Sequence, residues 1–229
     1  MKAMILAAGL GKRMQPLTAN LPKPLLSVGD KTLIEYQVMR LHEAGIEQMV
    51  INHYYLGDKI EDLLGDGSRY GVSIEYSRET VRLETAGGII QALPLLEDDC
   101  FVVVNADVWT EFPYRTLQPV DGNNCLAHLV MVPNREHHPY GDFCIDELGR
   151  VHEDEDVRDE RLTFSGISVL HRNLFTGFRA EPLPLVPLLR KAMEQNQVTG
   201  EIYHGVWVDV GTPERLQQLN DTVSMKQEN

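Results

Sequence analysis

Cysteine is scarce: Cys100, Cys125 and Cys144 are the only three among 229 residues. Their number is odd and their spacing fits no metal-ligand pattern, so neither a disulfide framework nor a cysteine-held metal is expected. All three stand in or beside apolar runs and read as buried, reduced thiols, which points to the cytoplasm. No run of eighteen apolar residues occurs, which argues against a membrane-spanning helix. The N-terminus lacks the cationic start and long apolar stretch of a secretory signal. Cations are also short, with 21 lysines and arginines against 34 aspartates and glutamates, a formal net charge of −13. Proteins that hold nucleic acid usually present a basic face, so no nucleic-acid partner is expected. Three catalytic phrases are missing as well. Without G-x-x-x-x-G-K-[ST] there is no P-loop, without G-x-S-x-G no hydrolase nucleophile elbow, and without H-E-x-x-H no zinc-protease helix. The pair His137-His138 accordingly reads as a solvent-facing loop pair.

What is present is apolar material, 43% of the chain, enough for one sizeable α/β domain over residues 1–229. The most informative stretch runs from Lys2 to Leu26, KAMILAAGLGKRMQPLTANLPKPLL. Its apolar run, Ala3 to Ala8, has the length of a buried strand and breaks into Gly9-Leu10-Gly11-Lys12-Arg13. Glycine lets a backbone take strained dihedrals and approach a ligand closely. Successive N–H groups in such a turn form a concavity that holds an anion. Lys12, Arg13 and Lys23 gather positive charge around one point, and Pro22 and Pro24 fix the chain on either side of Lys23. Together these residues read as a polyphosphate site. On Gly9 and Gly11 alone, a tight surface turn with solvated lysines is the alternative. An acidic protein that binds a polyphosphate must concentrate its few cations there or recruit a divalent metal.

Strand-like and helix-like segments alternate through the first half. Helical spacing covers Thr32 to Ala44, Leu56 to Leu64 and Ala86 to Leu93; strands are expected at Met49 to Asn52, Val72 to Tyr76 and Phe101 to Val104. Such alternation predicts a parallel, doubly wound sheet, whose ligands sit beyond the carboxyl ends of the strands where the order reverses. The second half is strand-rich at Cys125 to Val132, Phe143 to Ile145, Ser165 to Leu170 and Gly205 to Val210. Helices are expected only at Leu185 to Gln195 and Pro213 to Asp221. A mixed or antiparallel extension forming one wall of a cleft is predicted, so that the single domain divides into a first half, 1–112, and a second half, 113–229. The fold class is therefore α/β: a Rossmann-like, doubly wound mixed sheet in three layers, α/β/α. The acidic run from Glu153 to Glu160 reads as a solvated loop.

Two acids draw attention. Asp107 follows the buried run Phe101 to Val104, where a loop cap is the plain alternative. Asp209 sits inside the apolar segment Trp207-Val208-Asp209-Val210-Gly211-Thr212, and a buried carboxylate needs a partner. Two carboxylates on separate strand ends suit magnesium, which takes a few carboxylates, water and substrate phosphates.

The phrase AAGLGKRMQPLT followed by PKPLL resembles the signature of the sugar-1-phosphate nucleotidyltransferases, matching A-G-x-G-x-R-M-x-P-L-T and then P-K-P throughout. The resemblance covers nearly the whole chain. It implies that Arg13 and Lys23 are catalytic cations, on the triphosphate and at the α-phosphate respectively. It implies that Asp107 and Asp209 hold a catalytic Mg2+, and that Ala7, Ala8, Gly9, Gly11, Lys12, Gly87, Gly88 and Asn105 surround the nucleotide. The partners it implies are UTP and a sugar 1-phosphate, acted on by a monomer or small homo-oligomer. LETAGGI, NADVWTE, GDF, FSGISVL and HGVWVDVGT are closest to a branch that uridylylates a bulky N-acetylated, lactyl-bearing sugar phosphate in cell-wall recycling. Two departures bear on the sugar pocket: Phe164 replaces the asparagine of the family's Asn-x-Gly-Ile segment, and the E-K-P segment is missing. Sugar contacts are then expected from Gly141, Asp142, Glu153, Ser165 and Glu201. Ala106 stands where many relatives have glycine. No hexapeptide β-helix is expected within these 229 residues.

Overall fold

In the computed structural model, which describes residues 1–153 and 161–227, the opening apolar run becomes strand β1 (Ala3–Leu6). There follow a small hairpin, β2 (Ser27–Val28) and β3 (Lys31–Thr32), then α1 (Leu33–Glu43), β4 (Gln48–His53), α2 (Gly57–Leu64), β5 (Ser73–Arg78), α3 (Glu84–Leu96) and β6 (Cys100–Asn105). The second half comprises β7 (Val108–Thr110), β8 (Ala127–Val132), β9 (Cys144–Ile145), β10 (Val151–His152), β11 (Thr163–His171), α4 (Val186–Met193), β12 (Val198–Ile202), β13 (Trp207–Asp209) and α5 (Pro213–Gln227). Of the acidic run, residues 154–160 lie outside the described residues.

Seven strands make one mixed sheet in the order β12-β8-β11-β6-β1-β4-β5. β1 lies between β4 and β6, parallel to both, so that Leu6 is level with Asn52 on one side and Asn105 on the other. β11 runs antiparallel to β6 and β8, and β12 closes that edge parallel to β8. The chain leaves β1 for β4 on one side and later returns to β6 on the other. At such a reversal the loops after neighbouring strands part and leave a crevice.

The two sheet faces explain why the strands are apolar runs. Ile5, Ile51, Val102 and Val104 pack with Ile34, Val38 and Leu41 of α1 and with Ile60 and Leu64 of α2. Met4, Val50, Phe101 and Val103 face Ala86, Ile89 and Ala92 of α3, and the same layer continues to Leu188 and Leu189 of α4. Strands covered on both faces need no polar side. A third cluster matters more for the site: Met14, Leu26, Val28, Trp109 and Val210 pack with Leu216, Leu219 and Val223 of α5. Each such aliphatic side chain, fully buried, contributes about 1.5–3 kcal/mol, so the loop after β1 and the segment after β13 are anchored to one helix.

Local signals set the boundaries. α1 begins at Leu33 because Thr32 and Glu35 form a capping box, with the Thr32 N–H donating to Glu35 Oε2 at 2.8 Å. α3 passes the expected stop at Leu93 and runs through Pro94 to Leu96, whose side chain is fully buried. β12 went unanticipated because Gly200 and Glu201 interrupt its apolar pattern. Gly200 serves close approach there, since a Cβ would lie 2.8 Å from Val151 Cγ2 and 2.9 Å from the Leu129 carbonyl. Cys100 and Cys144 are buried as expected, whereas Cys125 is half-buried beside Thr199 at the sheet edge. Among the described residues no helix is long and apolar enough to cross a membrane.

Candidate active site

Two adjoining depressions open at the reversal point. One, of about 320 Å³, is lined by Leu6 to Leu10, Lys23, Asn52, Arg82, Thr85 and Asn105 to Asp107, among others. The other, of about 270 Å³, is lined by Gly9 to Met14, Lys23, Arg82, Asp107 and Gly211. Ala7, Ala8, Gly9 and Asn105 thus face the first, Gly11, Lys12 and Arg13 the second, and Lys23 both. The loop is shaped by Gly11, whose φ of +61° belongs to the left-handed region and whose Cβ would meet Thr18 Cγ2 at 3.0 Å. Thr18 Oγ1 donates to the Gly11 carbonyl at 2.8 Å and closes the turn. Lys12 and Arg13 project as exposed cations from a single 3-10 turn.

The carboxylate pair is assembled by strand pairing. β7 and β13 form an antiparallel ladder with Asp209 opposite Val108, and the Val210 N–H donates to the Asp107 carbonyl at 3.1 Å. Asp107 and Asp209 therefore stand side by side although they belong to different halves of the chain. Lys23, nearly buried, joins them: its Nζ bonds Asp107 Oδ2 and lies 3.9 Å from Asp209 Oδ1. Arg215 holds the far side of Asp209, with Nη1 donating to Oδ2 at 2.8 Å. The same Nη1 donates to His137 Nε2 at 2.9 Å. Burial, and then the Arg215 guanidinium, push the His137 imidazole below its ordinary pKa, so it is the neutral ring that accepts. His137 is an exposed loop residue, as expected, and its ring is also tied into the site through Arg215. Among the described residues no third histidine, cysteine, aspartate or glutamate completes a metal cage. A pair of carboxylates beside a cationic loop fits magnesium, which leaves several positions to phosphate oxygens and water.

Behind the first depression lies a buried network that sequence reasoning missed. Asn52, at the carboxyl end of β4, accepts the Ala7 N–H at Oδ1 (3.1 Å) and donates from Nδ2 to Glu79 Oε1 (2.6 Å). Glu79 Oε2 accepts the Leu83 N–H at 2.9 Å. The loop after β1 and the approach to α3 are thereby tied together. Burial raises the Glu79 carboxyl above its usual range, opposed by these hydrogen bonds. Gly87 and Gly88 stand in the buried face of α3 and line neither depression. A Cβ at Gly87 would lie 2.0 Å from the Glu181 carbonyl oxygen, and one at Gly88 2.7 Å from Glu79 Oε1. These glycines bring the helix close to its neighbours. Arg82, paired with Glu84, lines both depressions and was also missed. The position of Asn52 at a strand end was the one available signal for it.

The residues expected around a sugar are scattered. Asp142 Oδ2 accepts the Phe164 N–H at 2.8 Å and Oδ1 faces His138 Nε2 at 3.1 Å, so it fastens its loop to β11. Gly141 has φ +60° and packs against Arg161 and Leu162 backbone, where a Cβ would come within 2.9 Å. Ser165 is buried in a bulge of β11, where its carbonyl accepts the Trp207 indole N–H at 2.9 Å. Beside it Gly166, at φ +79°, leaves room for Asn105, whose Nδ2 would lie 2.4 Å from a Cβ. Glu153 pairs with Arg190 of α4 at 2.6 Å. Glu201 faces His128 at 3.4 Å in a separate groove at the sheet edge. Neither Glu153 nor Glu201 lines the two depressions; acidic residue type alone did not reveal which side of the second half each occupies.

A mixed sheet with a glycine-cation loop and a carboxylate pair at its reversal point is the architecture of a nucleotide-transferring enzyme. The model of the nucleotidyl transferase family matches residues 2–156, and the chain belongs to that family. It is 47% identical to N-acetylmuramate alpha-1-phosphate uridylyltransferase of Neisseria meningitidis serogroup B, over 95% of this chain and 96% of that one. The protein of the same name in Caulobacter vibrioides is 32% identical, over 93% of this chain and 92% of its own. A Bacillus anthracis protein solved in complex with sucrose shares the fold, with a TM-score of 0.82 at 22% identity over 97% of this chain and 94% of that one.

Proposed function

We propose that the protein transfers UMP from UTP to N-acetylmuramic acid α-1-phosphate, giving UDP-N-acetylmuramic acid and pyrophosphate, in recycling of the cell wall. The observation that carries this reading is the full-length likeness to the meningococcal uridylyltransferase. A phosphate oxygen of the sugar attacks the α-phosphorus of UTP in line, and the bond to the bridging oxygen of pyrophosphate breaks. No strong general base is required, because a phosphate monoester with a second pKa of roughly 6 is already largely dianionic at pH 7. The obstacle is the approach of two anions, so catalysis consists of positioning and charge neutralisation.

The residues divide that task. Asn52, Thr85 and Asn105 line the first depression, which we assign to the nucleoside. Lys12 and Arg13 line the second, which we assign to the β- and γ-phosphates, with the Gly9 to Gly11 backbone as donors. Lys23, at the junction, takes the α-phosphate. Asp107 and Asp209 would hold Mg2+, which would supply further neutralisation of the phosphate oxygens. The wall built by Gly141, Asp142 and Phe164 is our assignment for the sugar side; Glu153 and Glu201 leave the candidate list. We read 1–112 as the nucleotide half and 113–229 as the sugar half of one domain. We place the enzyme in the cytoplasm as a monomer or small homo-oligomer.

Pyrophosphate release, measured over a panel of nucleoside triphosphates and sugar 1-phosphates, tests the reading. UTP with N-acetylmuramate 1-phosphate is expected to give the highest kcat/KM. A higher value with glucose 1-phosphate or mannose 1-phosphate overturns the muramate assignment and leaves the reaction class standing.

A further inference from the structure

The proposed reaction needs the Asp107–Asp209 pair to accept a divalent ion, yet the chain supplies that pair with two cations of its own. Lys23 Nζ bonds Asp107 and is 3.9 Å from Asp209; Arg215 Nη1 is 2.8 Å from Asp209. Two carboxylates thus face two cations. The two cations are mounted differently. Arg215 sits in the first turn of α5, whose Leu216 and Leu219 are buried. Its guanidinium lies across Gly211, where a Cβ would be 2.1 Å from Nη2, and His137 holds it from the other side. Lys23 reaches the pair with a flexible stem from the loop that also faces both depressions.

We propose that Arg215 is a positioning residue, a fixed counter-charge on Asp209, and Lys23 a removable one, so that together they keep the carboxylate pair closed to divalent cations until the nucleotide arrives. This inference rests on the reading of the pair as the metal site. An incoming triphosphate brings several negative charges to the loop. Lys23 then exchanges Asp107 for the α-phosphate, and the pair regains the net charge that a divalent ion requires. Arg215 stays in place and keeps Asp209 Oδ2 engaged, leaving Oδ1 on the side of Asp107. Lysine suits the first role, because a compact ammonium on four methylenes can swing between partners, and arginine the second, because a planar fork binds in fixed directions.

The test uses Mn2+ as probe and reads protein-bound metal through the relaxation of water protons, with and without UTP. Wild-type protein is expected to bind Mn2+ weakly alone and tightly with UTP. Lys23→Met is expected to bind Mn2+ without nucleotide about tenfold or more tightly than wild type, the scale of removing one charge within a few ångströms near a protein surface. Arg215→Met is expected to gain nucleotide-free affinity too, and Arg215→Lys to return toward wild type; a merely structural role for Arg215 would lower the melting temperature without raising metal affinity. The proposal is overturned if wild type binds Mn2+ equally well with and without UTP, or if Lys23→Met shows no gain. Adding Asp107→Asn to Lys23→Met is expected to abolish the gain. If the double variant keeps it, the metal-site assignment itself is at fault, a result distinct from failure of the counter-charge idea.

Discussion

The two halves of this protein hold their inward-facing groups by different means. In the first, the loops after β1 and β6 follow directly from parallel strands, with one buried side-chain pair, Asn52 and Glu79, behind them. In the second, side chains clasp one another: Asp142 grips the Phe164 N–H, Asn134 bonds Thr163 and the Arg161 carbonyl, and Trp207 reaches the Ser165 carbonyl. A backbone cradle tolerates little change where glycine is required but asks few specific side chains. A clasped wall can be redrawn one side chain at a time. A fixed first half and an adjustable second half follow from that contrast.

The sharpest way to break the contrast is to remove the carboxylate pair, to which each half gives one member. Asp107→Asn and Asp209→Asn are each expected to lower kcat roughly 10²–10³-fold while leaving the melting temperature close to wild type, the scale of losing one preorganised electrostatic group. Near wild-type turnover at limiting magnesium would remove that residue from the site. Within the first half, Lys23→Ala is expected to reduce kcat by roughly two powers of ten with little change in UTP affinity. Arg13→Ala should raise the KM for UTP, with little rescue by Arg13→Lys. Calorimetric titration of UTP beside steady-state rates checks the division, and loss of UTP binding by Lys23→Ala alone would reverse it.

Packing effects come next. Gly87→Ala forces a methyl against the Glu181 carbonyl and is expected to cost about 1–3 kcal/mol, read as a fall in melting temperature larger than that of Phe164→Leu in the clasped wall. The smallest effect concerns Glu79. Its folded-state pKa is raised by burial, so the folded protein binds the proton more tightly than the unfolded chain does. The stability this contributes is complete below the ordinary carboxylate range and is lost as pH rises through the folded-state value. Wild type is therefore expected to lose melting temperature relative to Glu79→Gln as pH is raised from 4 to 7. A constant difference over that range would contradict it.

The contrast also explains what could be read from the sequence. Ala7 to Arg13, Asn105 and Asp107 were legible because they end a strand or follow one within a few residues, and a parallel strand fixes where its loop goes; Lys23 was legible from the prolines on either side of it. Gly87 and Gly88 were legible as special but not as packing residues, since the contact that requires them comes from Glu181, far along the chain. Asn52 and Glu79 were missed because a single buried amide or acid carries no periodic signal. Arg215 follows a legible segment, yet its role depends on the β7–β13 register, which no local pattern contains. Glu153 and Glu201 were chosen by residue type; their partners, Arg190 and His128, lie away from the two depressions.

That short ladder between β7 and β13 also sets a timetable. Chains are made from the N-terminus and tend to fold in that order, so β1, β4, β5 and β6 are available while the ribosome is still adding the second half. A growing chain that has reached Leu170 already contains the strands around the crevice, but it possesses one carboxylate of the pair. The other arrives when Trp207, Val208 and Asp209 lay down against Thr110, Trp109 and Val108. If the pair holds the metal as proposed, unfinished copies would lack half of that site, and competence to turn over substrate would come among the last steps of the protein's own synthesis.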